Sequence, residues 1–555
     1  MPKLEETLKR TDVRIMELLR GFAADKWNFI ILLLIVMNIA FRLPVTPHEL
    51  GSDSFATHGQ VNTLLQTHDI SWHLNLENIK LDDISSIKDS YPFDEVVTLP
   101  ASVLMLSQYT GLDIEDGILV LSILTGLLGF FASYIMAREF VDHRLTIFLT
   151  SFLFSLSPVF LSLTNWTASP RGFFIALLPL VFWLIFKYEN HGHWKYILYA
   201  FGLVLMMFPL HRMAMMLLPL MAAFMAARTY AAVYRFLEAR NKFIANYLST
   251  ITPPILLFAM LVLFSYSIVS NNPMFVQMRW NYQSGILTEG LAPHKIAMNM
   301  MVDYWSSEGI LFPFFAVGVL VVFTTLSKLQ KKVNERYLFL AFCMIAYAPL
   351  FVQGEYMTIY MLPLFSLFTA LGLKGVASII QMLVVALRLD RRITSSVFIA
   401  WLMMSILFSN FMQEHWVSRI DISSIVDPNT AHKQWMQEQT YQVSLFLMDL
   451  TNNVVFSDSL SARRISAIIG QNRMPYFSEE YMTGHTRTTE RVKEQIASKQ
   501  IQYVVENENI PEQYSGAERL YESVFLKSLR NQTDKIYDDG LNGIWNLGDP
   551  NAASA

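Results

Sequence analysis

The sequence predicts a polytopic α-helical membrane protein of about eleven transmembrane helices, followed by a C-terminal α/β domain. Three observations predict it. Of the 555 residues, 53% are hydrophobic and 16% charged, against roughly 25% charged in soluble chains. Apolar runs of about 17–22 residues recur, long enough as helices to cross about 30 Å of hydrocarbon. Beyond residue 413 the apolar runs stop, and a polar stretch alternates helical with β-rich segments.

Residues 1–26 are polar and carry Lys3, Lys9, Arg10, Arg14, Arg20 and Lys26. The first apolar run follows with no small-residue cleavage pattern, so it is expected to be a retained anchor. The predicted spans are 27–44, 117–137, 145–162, 171–187, 195–210, 212–228, 250–270, 308–327, 337–353, 357–375 and 394–413. The segment 97–109, VTLPASVLMLSQY, is too short to span and reads as an amphipathic helix on the membrane surface.

Lys and Arg in the loops set the orientation. With the N-terminus inside, the inner segments 1–26, 138–144, 187–195, 228–242, 328–336 and 374–392 hold 22 basic residues. The outer segments before 414 hold seven: Arg42, Lys80, Lys88, Arg171, Arg212, Arg279 and Lys295. The chain thus divides into a cytoplasmic segment (1–26), a membrane domain (27–413) with a long outer loop (45–116), and an extracytoplasmic α/β domain (414–555). The long loop holds twelve Asp or Glu. In the last domain NVVFS (453–457) and IQYVV (501–505) read as strands, 459–469 and 488–499 as helices, and KIYDDGLNGIWNL as two strands about an Asp-Gly turn. A net charge of −4 argues against a nucleic-acid partner. The single Cys343 lies in an apolar run, which excludes a disulfide framework or a cysteine zinc site. Ionisable residues avoid the span centres, unlike those of a transporter.

The candidate residues lie at the outer edge. Asp53, in GSDSFATHGQ, heads a helix expected from about Phe55 to Thr67. It is either an N-cap, or a general base or cation ligand at the membrane boundary. His58 lies one turn on, lining the same cleft or a solvated face. In LTNWTASPRG, Pro170 starts a helix and Arg171 sits in its first turn, where the dipole disfavours a cation unless an anion is near. Arg171 either grips a phosphate or snorkels to headgroups. Arg212, in a tight turn between two spans, is a second phosphate candidate or a lipid anchor. Glu355 could pair with these arginines. Tyr356 suits a binding role or an aromatic belt. Soluble catalytic motifs (a phosphate-binding Gly-rich loop, His-Glu-x-x-His, Gly-x-Ser-x-Gly) are missing from the sequence.

In order along the chain, GSDSFATHGQ, YPFDEVVTLPASVLMLSQYTGL, SYIMAREFVDHR, SLSPVFLSLTNWTASPRGFFIALLPLVFWL and EYMTIYMLPLFSLFTALGL precede the polar C-terminal domain. That order resembles the GT-C membrane glycosyltransferases, which include the oligosaccharyltransferase catalytic subunits and the protein mannosyltransferases. The resemblance covers nearly the whole chain, and its specificity lies in the order of short motifs. It implies a polyprenyl-phosphate-linked sugar as donor, a protein, lipid or glycan as acceptor, and membrane lipids around both. It implies for Asp53, the acid of the first loop, a general-base or metal-binding role beside the donor's phosphate; His58, Arg171, Arg212, Glu355 and Tyr356 stand beside it as the candidate substrate-binding residues read from the sequence. It leaves open a divalent cation, magnesium or manganese, for which Asp53 would be the ligand. Two departures stand out. Where oligosaccharyltransferases carry an acidic motif in the second outer loop, this chain has Ala168-Ser169-Pro170-Arg171, and residues 414–555 lack the Trp-Trp-Asp-Tyr-Gly motif. Both argue against transfer to peptide asparagine. The alternatives are a non-catalytic scaffold or lipid-binding subunit and, third, a lipid-linked sugar flippase.

Overall fold

The computed structural model describes residues 26–43, 48–49, 52–67, 98–211, 216–270, 293–308, 311–328, 335–353, 355–387, 428–450, 454–457, 459–470, 500–507, 533–540 and 542–548, with single positions besides. The described chain is mostly helical. It begins with α1 (Lys26–Ala40), α2 (Ser52–Thr67), α3 (Thr98–Thr110) and α4 (Ile114–Phe140). Next come α5 (Arg144–Ser155), α6 (Pro158–Thr164), α7 (Pro170–His191), α8 (Lys195–Met207), α9 (Leu217–Arg240) and α10 (Lys242–Ser270). The apolar part ends with α11 (Pro293–Glu308), α12 (Pro313–Lys328), α13 (Glu335–Tyr347) and α14 (Glu355–Ala386).

Among the described residues five helices are long and apolar enough to cross a membrane: α4, α7, α9, α10 and most of α14. The pair α5 and α6 adds a sixth span broken by a 52° bend. Its cause is local: Pro158 removes a backbone donor, and Ser157 caps the restart by accepting from the Phe160 N–H at 3.3 Å. The expected spans at 27–44 and 195–210 appear as shorter apolar helices, α1 and α8. The span expected at 337–353 is α13 continued by a 3-10 turn, and that at 308–327 is α12. The segment 394–413 falls outside the described residues, apart from single positions.

Three devices hold the bundle together. Aromatic rings fill its centre: Phe182, Phe186 and Phe339 are fully buried and meet at 6.0–6.3 Å between centroids. α12 and α14 approach backbone to backbone, since a Cβ on Gly318 would collide with the Phe368 carbonyl and one on Gly372 with the Phe314 carbonyl. Small residues permit such contact where lipid supplies no hydrophobic drive. At one end, Arg228 pairs with Glu189 and Glu335, while Arg336 donates to the main-chain oxygens of Glu139 and Phe140 at 3.0 and 3.1 Å.

The polar part contains α15 (Pro428–Asp449), β1 (Val454–Phe456), α16 (Ser459–Ile469), β2 (Ile501–Asn507), β3 (Asp534–Asp538) and β4 (Asn542–Asn546). Its sheet has the order β1-β2-β4-β3; β1 and β2 are parallel, the other pairs antiparallel. Val443 and Leu447 of α15 and Ala462, Ile465 and Ile469 of α16 pack on Val455, Val505 and Ile544. The β3–β4 turn uses Gly540 at φ +83, a left-handed position that glycine adopts without strain. The helix expected at 488–499 lies outside the described residues apart from Ser498.

Candidate functional site

The first loop, the start of α4, the turn before α7 and the C-terminal α/β unit meet at one end of the bundle. Helix α3, the helix expected on the membrane surface, instead buries Leu99, Val103 and Leu104 with Val61 of α2, Ile118 of α4 and Trp166 and Ala168 of the turn. The Thr57 hydroxyl donates to the Ala168 carbonyl at 2.8 Å, and the Trp166 indole to the Glu115 carbonyl at 3.1 Å. Trp166 has φ +47, an uncommon conformation for a residue with a Cβ, held here by that bond and by burial of its ring. The turn is tight behind it as well: a Cβ on Gly172 would lie 2.5 Å from the Leu163 carbonyl.

Within this end Glu49, fully buried, is the hub. It precedes α2, which begins at Ser52, and the helix folds two side chains back onto it. The Ser54 hydroxyl donates to Glu49 Oε2, and His58 Nδ1 lies 2.6 Å from Oε1. Arg464 of α16 reaches the same place. Its NH1 donates to the Glu49 main-chain oxygen at 3.2 Å and lies 4.0 Å from Oε1, with its guanidinium 4.6 Å from the Phe55 ring centroid and 4.9 Å from that of Tyr441. Burial pushes the Glu49 carboxyl upward, but the charges and hydrogen bonds of His58, Ser54 and Arg464 outweigh it and hold Glu49 below the usual carboxylate value.

Glu115 completes the group from the first turn of α4. That turn is set by Asp113, whose side chain caps it by accepting from the Asp116 N–H at 2.8 Å. Glu115 Oε2 lies 3.2 Å from His48 Nδ1, and His48 stacks on Tyr441 at 3.7 Å between centroids. Glu115 Oε1 is buried with no hydrogen-bond partner among the described residues. Glu49, His58 and Glu115 each offer one ligand atom, all within 4.8 Å of one another. Two carboxylates and an imidazole suit a divalent cation, and the partnerless oxygen leaves one donor uncommitted, so these residues fit such an ion.

Of the residues expected from the sequence, the structure places His58 in this group, buried. Asp53 falls in the first turn of α2, one residue before Ser54; its side chain lies outside the described residues. Glu355 and Tyr356 open α14, and their side chains also lie outside them. Arg212 is outside the described residues altogether. Arg171 is the second residue of α7, directly after the turn that packs on α2, and is half-buried. Sequence reasoning missed Glu49, Glu115, His48 and Arg464. Glu49 and His48 stood in view four and five residues before Asp53, whereas nothing local marks Glu115 or Arg464.

The fold has solved counterparts. The apo crystal structure of the Archaeoglobus fulgidus oligosaccharyltransferase superposes with a TM-score of 0.55 over 87% of this chain and 70% of that one, at 11% identity. The structure of that enzyme tethered by a disulfide to an acceptor peptide containing the NVT sequon gives 0.48 over 87% and 69%, also at 11% identity. No family model matches the chain, and no curated protein does. The chain therefore shares the fold of that oligosaccharyltransferase, and among its described residues five helices are long and apolar enough to cross a membrane.

Proposed function

We propose that the protein is an integral-membrane glycosyltransferase that transfers a sugar or oligosaccharide from a polyprenyl-phosphate-linked donor to an acceptor at the outer face of the membrane. The observation that carries this reading is the likeness of fold over 87% of the chain, together with a buried acid–imidazole group at the end where the first loop and the C-terminal unit meet. The lipid chain of the donor would lie along the apolar helices. Its phosphate would be received by Arg171 and Arg212, whose guanidinium groups suit bidentate phosphate contact. Asp53, at the start of α2, would orient or deprotonate the acceptor nucleophile. Attack at the anomeric carbon then breaks the bond to the phosphate oxygen, and the leaving polyprenyl phosphate keeps the electron pair. Stabilising that developing charge is the main catalytic task. A divalent cation, when bound by Glu49, His58 and Glu115, would supply positive charge beside the phosphate.

The acceptor remains a protein, a lipid or a glycan. The place of the second-loop acidic motif is taken by Ala168, Ser169 and Pro170, which speaks against asparagine as the acceptor atom. A non-catalytic relative is the second reading, favoured by that same replacement. Asp53→Asn in purified protein separates the two. The enzyme reading expects transfer from a radiolabelled polyprenyl-phosphate sugar by the wild type and its loss in the variant, with unchanged thermal unfolding. A variant as active as the wild type would remove Asp53 from the mechanism, and an inert wild type would favour the scaffold.

A further inference from the structure

We propose that Lys187 and Lys195, at the end of the bundle remote from the Glu49 group, hold the phosphate of an anionic phospholipid whose acyl chains lie along α8. The proposal goes beyond sugar transfer: it concerns the opposite leaflet, and a lipid that is bound rather than consumed.

Helix α7 fixes the depth of the lysines. It starts at Pro170, beside the turn that packs on α2, and runs to His191. At about 1.5 Å per residue, Lys187 lies roughly 26 Å along the axis from that start. This is close to the thickness of the hydrocarbon layer, so Lys187 stands at the far boundary. With the orientation expected from the loop charges, that boundary is the cytoplasmic one. Gly192 ends α7 in the left-handed region, at φ +70, and the chain turns back into α8. The turn brings the Tyr196 ring to Lys187.

Three observations point to an anionic lipid. Lys187 Nζ lies 4.6 Å from the Trp183 ring centroid and 5.4 Å from that of Tyr196, and Lys195 Nζ lies 5.4 Å from the same Tyr196 ring. The rings hold both ammonium groups without neutralising them. The acids at this end are engaged elsewhere: Glu139 with Asn190 and His191, Glu189 with Arg228, and Glu335 with Arg228 and Arg235. Two like charges thus share one ring, and an anion between them relieves the repulsion. Lys195 also opens α8, where the helix dipole disfavours a cation unless an anion is near. Finally, α8 exposes Trp194, Leu198, Phe201 and Leu205, whose spacing places them on one helical face. That apolar strip begins at the lysines and runs into the hydrocarbon, with the Trp194 indole at headgroup depth. An anionic phospholipid matches both halves, its phosphate on the ammonium groups and its chains on the strip. Free phosphate uses only the first half, and a zwitterionic lipid brings a cation of its own.

The test counts the lipids that the full chain retains. Protein in a neutral detergent is mixed with equal amounts of dioleoyl phosphatidylglycerol and dioleoyl phosphatidylcholine, and bound lipid is read by native mass spectrometry. The wild type is expected to retain phosphatidylglycerol about tenfold over phosphatidylcholine. The double variant Lys187→Gln with Lys195→Gln should lose most of that preference. Lys195→Gln alone, at an exposed position, covers the case in which the double variant fails to fold, and should cut the preference about threefold. Arg240→Gln with Lys242→Gln, exposed at the turn from α9 to α10, should keep it. No preference in the wild type, or an undiminished one in the lysine variants, overturns the site. An equal loss in the Arg240 and Lys242 variant reduces the effect to general surface charge and also overturns it. Displacement of phosphatidylglycerol by millimolar inorganic phosphate assigns the lysines to free phosphate and overturns the lipid. No sugar donor enters, so failure here is separable from failure of sugar transfer.

Discussion

Arg464 and Glu49 stand 415 residues apart in sequence, yet the guanidinium of one donates to the main-chain oxygen of the other at 3.2 Å. Both side chains are almost wholly removed from water. The contact fastens the C-terminal α/β unit to the first loop of the bundle. Taking one partner from such a pair leaves the other charge buried, typically at a cost of about 3–5 kcal/mol. Arg464→Ala should therefore release the C-terminal unit, read as cleavage by limited proteolysis between the bundle and residue 470 at protease concentrations that leave the wild type intact. Equal protection of variant and wild type would count against the clamp.

The partners of the Glu49 carboxylate, His58 before Ser54 and Arg464, predict a pH dependence. The Glu49 carboxyl is held below its ordinary value of 4.5 when folded. A lowered folded value means that the ionised form adds stability above the unfolded value, and that this stability is lost as pH falls through the folded one. The stability advantage of the wild type over Glu49→Gln should be full near pH 7 and shrink below about pH 4.5, because a protonated Glu49 resembles Gln. Thermal melts of both proteins across that range check it; a constant or growing gap at low pH would contradict it.

Arg42 yields a prediction of another kind. Its side chain is entirely buried among α1, α4, α5 and α6. Nε donates to the Thr164 hydroxyl, NH1 to the backbone and side-chain oxygens of Asn38, and NH2 to the Ser155 carbonyl, all at 3.0 Å. The space exists because residue 126 is glycine: a Cβ there would collide with the guanidinium. Gly126→Ala should destabilise the fold by about 1–3 kcal/mol through overpacking. A Gly126→Ala melting temperature equal to that of the wild type would show that Arg42 can relocate freely.

Gly372 should be less forgiving still. A Cβ there would collide with the Phe314 main-chain carbonyl, which is backbone and cannot turn aside as a side chain can. Gly372→Ala is expected to lower stability more than Gly375→Ala, where a Cβ would meet side chains alone, Val321 at 3.1 Å and Val317 at 4.0 Å. Paired thermal melts in one detergent decide the order, and the reverse order would refute close packing of α12 on α14.

Much of the frame was legible in the sequence because its causes are local. The Pro at 170 starts α7, the run 98–110 is helical, Val454–Phe456 within NVVFS and the segment IQYVV are strands, and Asp539-Gly540 turns the last hairpin. Helix lengths were less legible, since polar ends continue helices beyond their apolar runs: α10 begins at Lys242 rather than 250, and α14 runs to Ala386 rather than 375. The site was legible only in part. His58 could be picked out because it lies one turn beyond Asp53 on a helix with a recognisable start. Arg464 could not, because Arg463-Arg464 on an amphipathic helix reads as a solvated pair until α2 is docked against it. Arg42 stands in the sequence only as one of the outer basic residues, at the end of an apolar run, and the glycine opposite it, 84 positions on at residue 126, makes room for it inside.

Transfer of a sugar off a lipid phosphate is the activity proposed for this protein. Its most direct test follows label from a radiolabelled polyprenyl-phosphate sugar in membrane vesicles that contain the wild-type protein, the Asp53→Asn variant, or neither. We expect label to leave the donor pool for the protein, lipid or glycan fraction, with equimolar release of free polyprenyl phosphate, only where the wild-type chain is present. Label remaining on the donor at the same level in all three preparations would show that the protein does not carry out this transfer.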